Sequence, residues 1–366
     1  MTTDRRGFLR SAGSGASLAL AHPATVLALA GDAQQRLRAI IRENGTRGVS
    51  DGVVLIARDG ALVLRQAFGL ADRERGAASR PDGVFRIGSV TKQFTAAAIL
   101  LLVQDGTLSL DQSMTSIFSD APKAWAPITI RHLLRHRSGL ANFTELATPE
   151  KEQWSGKSVE DVIDLIRDLP LTSAPGQGFA YDNTGYVMLG GIVARASGAT
   201  FASFLGRRVF APLNMHNTGF VCETPPRGAA SGYIRNGSTW RKARWMSAVR
   251  ESGAGAMFST VDDLLRWDRG LHGGKLLGPV ALQSMFTDHG DGFGFGYVIG
   301  VQDGRRVWWH NGHTEGFSAM LARFPDDRLT IIVLSNDEGA RVERLSRDLA
   351  AACLATHAAA PQAQAI

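Results

Sequence analysis

The sequence predicts an α/β (α+β) sandwich: an antiparallel sheet flanked by helices, with an inserted, mostly helical subdomain. Three observations predict it: hairpin signals at both ends of the chain, helical periodicity between them, and one helix that is apolar on nearly every face. Val53, Leu55 and Ala57 alternate up to Asp59 and Gly60, and Leu62 and Leu64 alternate after them, so residues 53 to 67 read as a two-residue hairpin. Gln93 to Val103 holds Phe94, three alanines and the run Ile99 to Leu102. With so little polar surface it must be buried against the sheet. Ser158 with Asp161 opens a helix to Leu169, Thr184 to Ala196 is apolar and periodic, and Thr260 with Asp263 opens a helix ending near Gly270. Residues 297–301, a turn at Asp303 and Gly304, then 305–310, 317–324 and 329–335 read as consecutive antiparallel strands. Two hairpin systems, each too small to be stable alone, are expected to share one sheet, which brings the chain ends together. The expected division is a leader over 1–30, one domain over 31–357 and a tail over 358–366. Within the domain, the sheet part is about 31–104 and 291–357, and the helical part about 105–290.

Composition narrows the function classes. The 366 residues are 44% hydrophobic, 20% charged and 8% aromatic, values of an ordinary globular protein that exclude a disordered chain or a collagen-like fibre. The formal charge of +6 is small, and part of it sits in Arg5, Arg6 and Arg10. Elsewhere acidic residues interleave with basic ones, as at Arg73, Glu74 and Arg75, so nucleic acid is not an expected partner.

Arg5 and Arg6, then Gly7, Phe8 and Leu9, precede a small and apolar run from Ala16 to Ala30 that is broken at His22 and Pro23. The pattern matches a twin-arginine (Tat) signal peptide, and Ala28, Leu29 and Ala30 supply a cleavage site of the Ala-x-Ala kind. The run is too short to span a bilayer, which takes about 20 apolar residues, and no later stretch reaches that length. The expectation is a bacterial protein, periplasmic or secreted, that meets the Tat export machinery. Cys222 and Cys353, 131 positions apart, are expected as two separately buried thiols.

Ser89 and Lys92 stand three apart at the head of the apolar helix, so both can lie on one face. The chain has only six lysines, yet one of them is placed where this helix enters the core. A desolvated lysine can release its proton where arginine cannot, and a serine hydroxyl needs such a base to become a nucleophile. The alternative is a helix-capping serine beside a lysine that snorkels to water. Tyr181, Asp182 and Asn183 follow the Pro175-Gly176 turn. Either Tyr181 packs and Asn183 caps the next helix, or Tyr181 has its pKa lowered by Lys92 and acts as general base while Asn183 donates to a substrate amide. His310, Asn311 and Gly312 end a strand, as a plain glycine turn or as an edge that another backbone can approach closely.

Taken together, Ser89-Val90-Thr91-Lys92, Tyr181-Asp182-Asn183 and His310-Asn311-Gly312 resemble, in order and spacing, the three motifs of class C β-lactamases and the related penicillin-binding esterases and peptidases. The stretches Ile128 to Leu140, Pro175 to Gly191, Pro212 to Phe220 and Gly255 to Trp267 also look like family segments, so the resemblance runs from about residue 35 to 355. It implies a serine hydrolase that works through an acyl-enzyme on a small ester, amide, D-amino-acid peptide or β-lactam, without a cofactor. By the resemblance Ser89 is the nucleophile, Lys92 its proton partner, Tyr181 the base and later the acid, and Asn183 a substrate-orienting amide. The N–H groups of Ser89 and His313 would form the oxyanion hole beside Gly312. His310 departs from the lysine of true β-lactamases, and a neutral histidine cannot pair with a drug carboxylate as a permanent cation does. Glu315 departs from a position where relatives often carry proline, and faces solvent or a substrate amine. The rival reading is a penicillin-recognising or peptidoglycan-sensing module that binds without turnover. His132 with His136, and His310 with His313, have spacings that a metal site could use, but no His-Glu-x-x-His pattern supports one.

Overall fold

The computed structural model of the chain describes residues 31–146, 157–246 and 252–358. The expected signal peptide and the tail beyond 358 lie outside the described residues. One six-stranded sheet organises the rest. Its strands are β1 (Gly52–Arg58), β2 (Ala61–Phe68), β3 (Val298–Gln302), β4 (Arg305–Thr314), β5 (Phe317–Phe324) and β6 (Leu329–Ser335), in the order β3-β4-β5-β6-β1-β2. Every neighbour is antiparallel, and β1 is seated between β6 and β2 with Val53 opposite Leu334 and Ala67. The two ends of the chain thus share one sheet. Asp59 and Gly60 turn the first hairpin with φ of 54° and 73°, the left-handed values such a tight turn needs.

The central strands are apolar on both faces because both faces are covered. Val53, Leu55 and Ala57 of β1 join the core around α2 (Thr91–Gln104), whereas Val54 and Ile56 join a second core against the terminal helices α1 (Gly31–Thr46) and α6 (Val342–Ala358). Side chains alternate across a strand, so one strand serves both layers. Helix α2 is buried from Thr91 to Leu102, and Phe94 stacks on Trp267 with ring centroids 4.1 Å apart. Truncating such a buried ring to alanine typically costs about 3–5 kcal/mol.

Three further helices flank α2's side of the sheet: α3 (Val159–Ile166), α4 (Asn183–Ser197) and α5 (Val261–His272). Ser158 and Asp161 close a reciprocal capping box on α3, and the Thr260 hydroxyl accepts from the Asp263 N–H at the start of α5, so both sequence signals act as local caps. The region between 105 and 290 also carries short strands. Met257–Ser259 pairs with Phe85–Arg86 and with Gly219–Phe220, tying this region to the segment just ahead of α2. Among the described residues no single helix is long and apolar enough to cross a membrane. Cys222 is exposed and Cys353 buried, and no disulfide joins them. Cys222 thereby departs from the expected buried thiol, because it lies in a surface loop.

Candidate active site

The site begins with a turn. Ser89 lies in a single 3₁₀ turn, Gly88–Val90, just ahead of α2 rather than in its first turn, and the turn is pinned by the Ile87 N–H donating to the Met257 carbonyl at 3.0 Å. Gly88 has φ of 48°. A methyl group on it would come within 3.0 Å of the His313 nitrogen, and one on Gly312 would come 2.0 Å from the Ile87 carbonyl oxygen and 3.0 Å from the Ser89 nitrogen. Two bare α-carbons therefore let β4 press against the serine turn, which places the Ser89 and His313 peptide nitrogens along one seam.

Lys92 is fully buried beneath this seam. Its Nζ meets three oxygens: Ser89 Oγ at 3.2 Å, Asn183 Oδ1 at 2.9 Å and the Ala254 carbonyl at 2.8 Å. Burial lowers its pKa from 10.5 to about 7, and the carboxylate of Asp182 offsets only part of that fall. The geometry says what the neutral amine does. Asn183 Oδ1 and the Ala254 carbonyl can only accept, so they keep the two remaining N–H bonds, and the lone pair faces the one partner able to give a proton, the Ser89 hydroxyl.

Tyr181 completes the group. Lys92 Nζ stands 4.8 Å from its ring centroid, and the phenol lines the cleft beside Ser89, whose hydroxyl is near enough to bear on its pKa. The phenol's pKa is raised, not lowered as the sequence led us to expect: burial disfavours the phenolate, the Ser89 hydroxyl opposes this only in part, and the Asp182 charge adds to the rise. Of the two lowered pKa values expected, that of the amine is found and that of the phenol is not. Asn183 is the first residue of α4 and not its cap. Asp182 caps α4 by accepting from the N–H groups of Thr184 and Gly185, and burial raises its carboxyl pKa to about 6. Asn183 was expected to donate to a substrate; its Oδ1 is held by Lys92, and its Nδ2 donates to Thr144 Oγ1 at 3.1 Å, so one of its two amide hydrogens remains for that role.

His310 is only 2% exposed. Its Nδ1 lies 2.5 Å from the Asn311 carbonyl, which must accept, so the proton is on Nδ1 and Nε2 is a buried acceptor with no partner among the described residues. Burial, then the charge of Lys92, lowers its pKa to about 3, so the ring is neutral. Beyond it, Glu343 Oε1 accepts from Asn311 Nδ2 at 2.6 Å and lies 3.7 Å from His313 Nε2. Glu315 stands off the cleft, 3.5 Å from Arg241. A cleft of about 430 Å³ is lined by the polar Ser89, Tyr181, His310, Asn311 and His313 and by Phe293, Val298 and Trp309. None of these lining residues is a lysine or an arginine. His132 is occupied in a capping box with Thr129, and among the described residues no group of three or more His, Cys, Asp or Glu could hold a metal.

Participants outside the three sequence motifs include Gly88, the Ala254 carbonyl, Glu343 and His136. The small-residue run Gly253-Ala254-Gly255 was a legible sign of close backbone packing, though nothing in it points to Lys92, and His136 carries no local signal of its surroundings.

The Beta-lactamase family model matches residues 34–356. Esterase EstB of Burkholderia gladioli is 30% identical over 303 residues, covering 70% of this chain and 76% of that one. The octameric penicillin-binding protein homologue from Pyrococcus abyssi superposes with a TM-score of 0.79 at 25% identity, over 88% of this chain and 77% of that one. D-amino acid amidase from Ochrobactrum anthropi SV3, solved with L-phenylalanine, superposes with a TM-score of 0.77 at 26% identity, over 88% and 99%.

Proposed function

This chain belongs to the β-lactamase family and is a serine hydrolase of it, and within that class we propose that it acylates Ser89 with small neutral esters, amides or D-amino-acid peptides in preference to carboxylate-bearing β-lactams. The observation that carries this reading is a fully buried lysine, with its pKa brought to about 7, whose one proton-giving partner among the described residues is the Ser89 hydroxyl.

Ser89 Oγ attacks the substrate carbonyl as its proton passes to Lys92 Nζ. The carbonyl π electrons move onto oxygen, which the N–H groups of Ser89 and His313 stabilise. When the tetrahedral adduct collapses, the bond to the leaving oxygen or nitrogen breaks, and that atom takes the proton of the neutral Tyr181 phenol. The Lys92 ammonium returns a proton to Tyr181. Water then repeats the sequence on the Ser89 ester and releases the acid. A phenol with a raised pKa suits the donor role, so in this scheme Tyr181 acts as the acid and Lys92 as the first base.

The substrate preference follows from the lining of the cleft around Ser89. The His310 ring is neutral, Glu343 adds a carboxylate behind Asn311, and Phe293, Val298 and Trp309 make the rest of the lining aromatic and aliphatic. Among the described lining residues a substrate carboxylate meets no lysine or arginine, whereas an N–H or an apolar group finds a partner. Intact-mass spectrometry tests the reading. A fluorophosphonate and a short-chain chromogenic ester should each modify Ser89, the ester turning over, while a penicillin labels it slowly. Rapid penicillin hydrolysis with poor ester turnover would reject the preference, and absence of any serine adduct would reject the mechanism.

Location is part of the same proposal. Arg5 and Arg6 with the run to Ala30 support Tat export to the periplasm or medium. Changing both arginines to lysine should hold the enzyme inside the cell; an unchanged distribution between cell fractions would reject that route.

A further inference from the structure

We infer that His136 is the positioning residue that holds the Tyr181 phenol on Ser89; the inference rests on the role just proposed for Tyr181. The residues around Tyr181 form neither helix nor strand, since α4 starts only at Asn183, so no repeating backbone pattern orients the phenol. His136 takes over that task from both sides. Its carbonyl accepts from the Ala180 N–H at 3.0 Å, and its Nδ1 accepts from the Asp182 N–H at 3.0 Å. The residues on either side of Tyr181, Ala180 and Asp182, are therefore each anchored by their N–H to a single residue.

The same ring touches the phenol directly. The His136 and Tyr181 rings lie 4.5 Å apart at 30°, and Tyr186 lies against His136 at 4.9 Å and 31°. Tyr186 is itself fixed, its hydroxyl donating to the Leu134 carbonyl at 2.9 Å. Phe179 and Phe293 meet the histidine edge-on at 5.9 Å and 5.7 Å. His136 has φ of 54°, a left-handed conformation unusual for a side-chain-bearing residue, which persists only where the surroundings dictate it. Ser138, two residues on, donates from Oγ to the Asp182 carboxylate at 3.2 Å, so the 136–138 turn holds the 180–182 segment at a third point.

The bonding also defines the state of the ring. An Nδ1 that accepts from a peptide N–H carries no proton, so the proton is on Nε2, an atom buried without a partner among the described residues. Burial and the nearby Lys92 and His310 keep the ring from taking up a second proton. His136 does not line the cleft, so its loss should act on the chemical step rather than on substrate binding.

Two variants separate the acceptor from the ring. His136→Phe keeps an aromatic face and removes the acceptor; His136→Asn keeps an acceptor near the Nδ1 position and tolerates the left-handed backbone. We expect His136→Phe to lose about 100-fold in kcat on a short-chain ester with KM changed less than about threefold, the scale of an ångström-level misplacement. His136→Asn should recover at least about tenfold of that loss, and fluorophosphonate labelling of Ser89 should persist in both as the sign of a folded site. Equal kcat in His136→Phe and the unmutated enzyme, with Tyr181→Phe inactive, would overturn the clamp while sparing the proposed mechanism. Full activity of Tyr181→Phe would instead remove the mechanism on which the clamp rests. Should neither histidine variant fold, imidazole ¹⁵N shifts of the unmutated enzyme still decide: an Nε2–H tautomer unchanged from about pH 5 to 9 is expected, and an Nδ1–H or cationic ring would overturn the inference.

Discussion

Acid should switch this enzyme off through one atom, Lys92 Nζ. With a pKa of about 7, the amine able to accept the Ser89 proton is present in about nine tenths of molecules at pH 8, about half at pH 7, about a tenth at pH 6 and about a hundredth at pH 5. The single-turnover acylation rate should follow those fractions. It would be read by stopped-flow release of a chromogenic alcohol, with the Ser89 adduct counted by intact mass at each pH. Lys92→Arg should be inactive throughout, because it keeps the charge and cannot give up the proton. Stability moves in the same direction. The folded pKa lies below that of an unfolded lysine, so between about pH 7 and 10.5 the unfolded chain binds the extra proton and stability climbs with pH. The full rise corresponds to about 5 kcal/mol and is absent below pH 7. An acylation rate that stays level between pH 5 and 8, or a Lys92→Arg variant as fast as the unmutated enzyme, would refute the reasoning.

Tyr181→Phe should lower kcat about 10²- to 10³-fold on alkyl esters and much less on esters with acidic phenol leaving groups, which depart without a proton; an equal loss on both would argue against the acid role. His310→Lys should raise affinity for carboxylate-bearing β-lactams, measured by the concentration dependence of Ser89 acylation. Unchanged or weaker affinity would show that the neutral acceptor at 310 does not set the preference. Gly312→Ala should cripple acylation and lower Tm, since its methyl group would sit 2.0 Å from the Ile87 carbonyl and force β4 away from the serine turn; ester turnover and a thermal melt check it, and normal values for both would mean the seam is slack.

Much of the frame was written locally. Asp59-Gly60 turns the first hairpin, Ser158 and Thr260 cap their helices, and the alternation from 297 to 335 becomes four adjoining strands, because turns, caps and pleats are governed by neighbours a few residues away. The grouping of Ser89 with Lys92 was equally legible, being one turn of chain. The terminal helices α1 and α6 were not read from the sequence; they cover the sheet's second face because its strands are apolar on both sides, a feature that becomes visible only once the strands are paired. Nor could the sequence tell which of the amine and the phenol has the shifted pKa toward catalysis, or that His136 holds Tyr181. Those outcomes depend on how much water each group has lost and on partners 91 and 162 positions from Lys92 or 46 from Asp182. Desolvation belongs to the packed interior and to no single residue, so the chemistry's ingredients could be read along the chain while their protonation states were decided only by the fold.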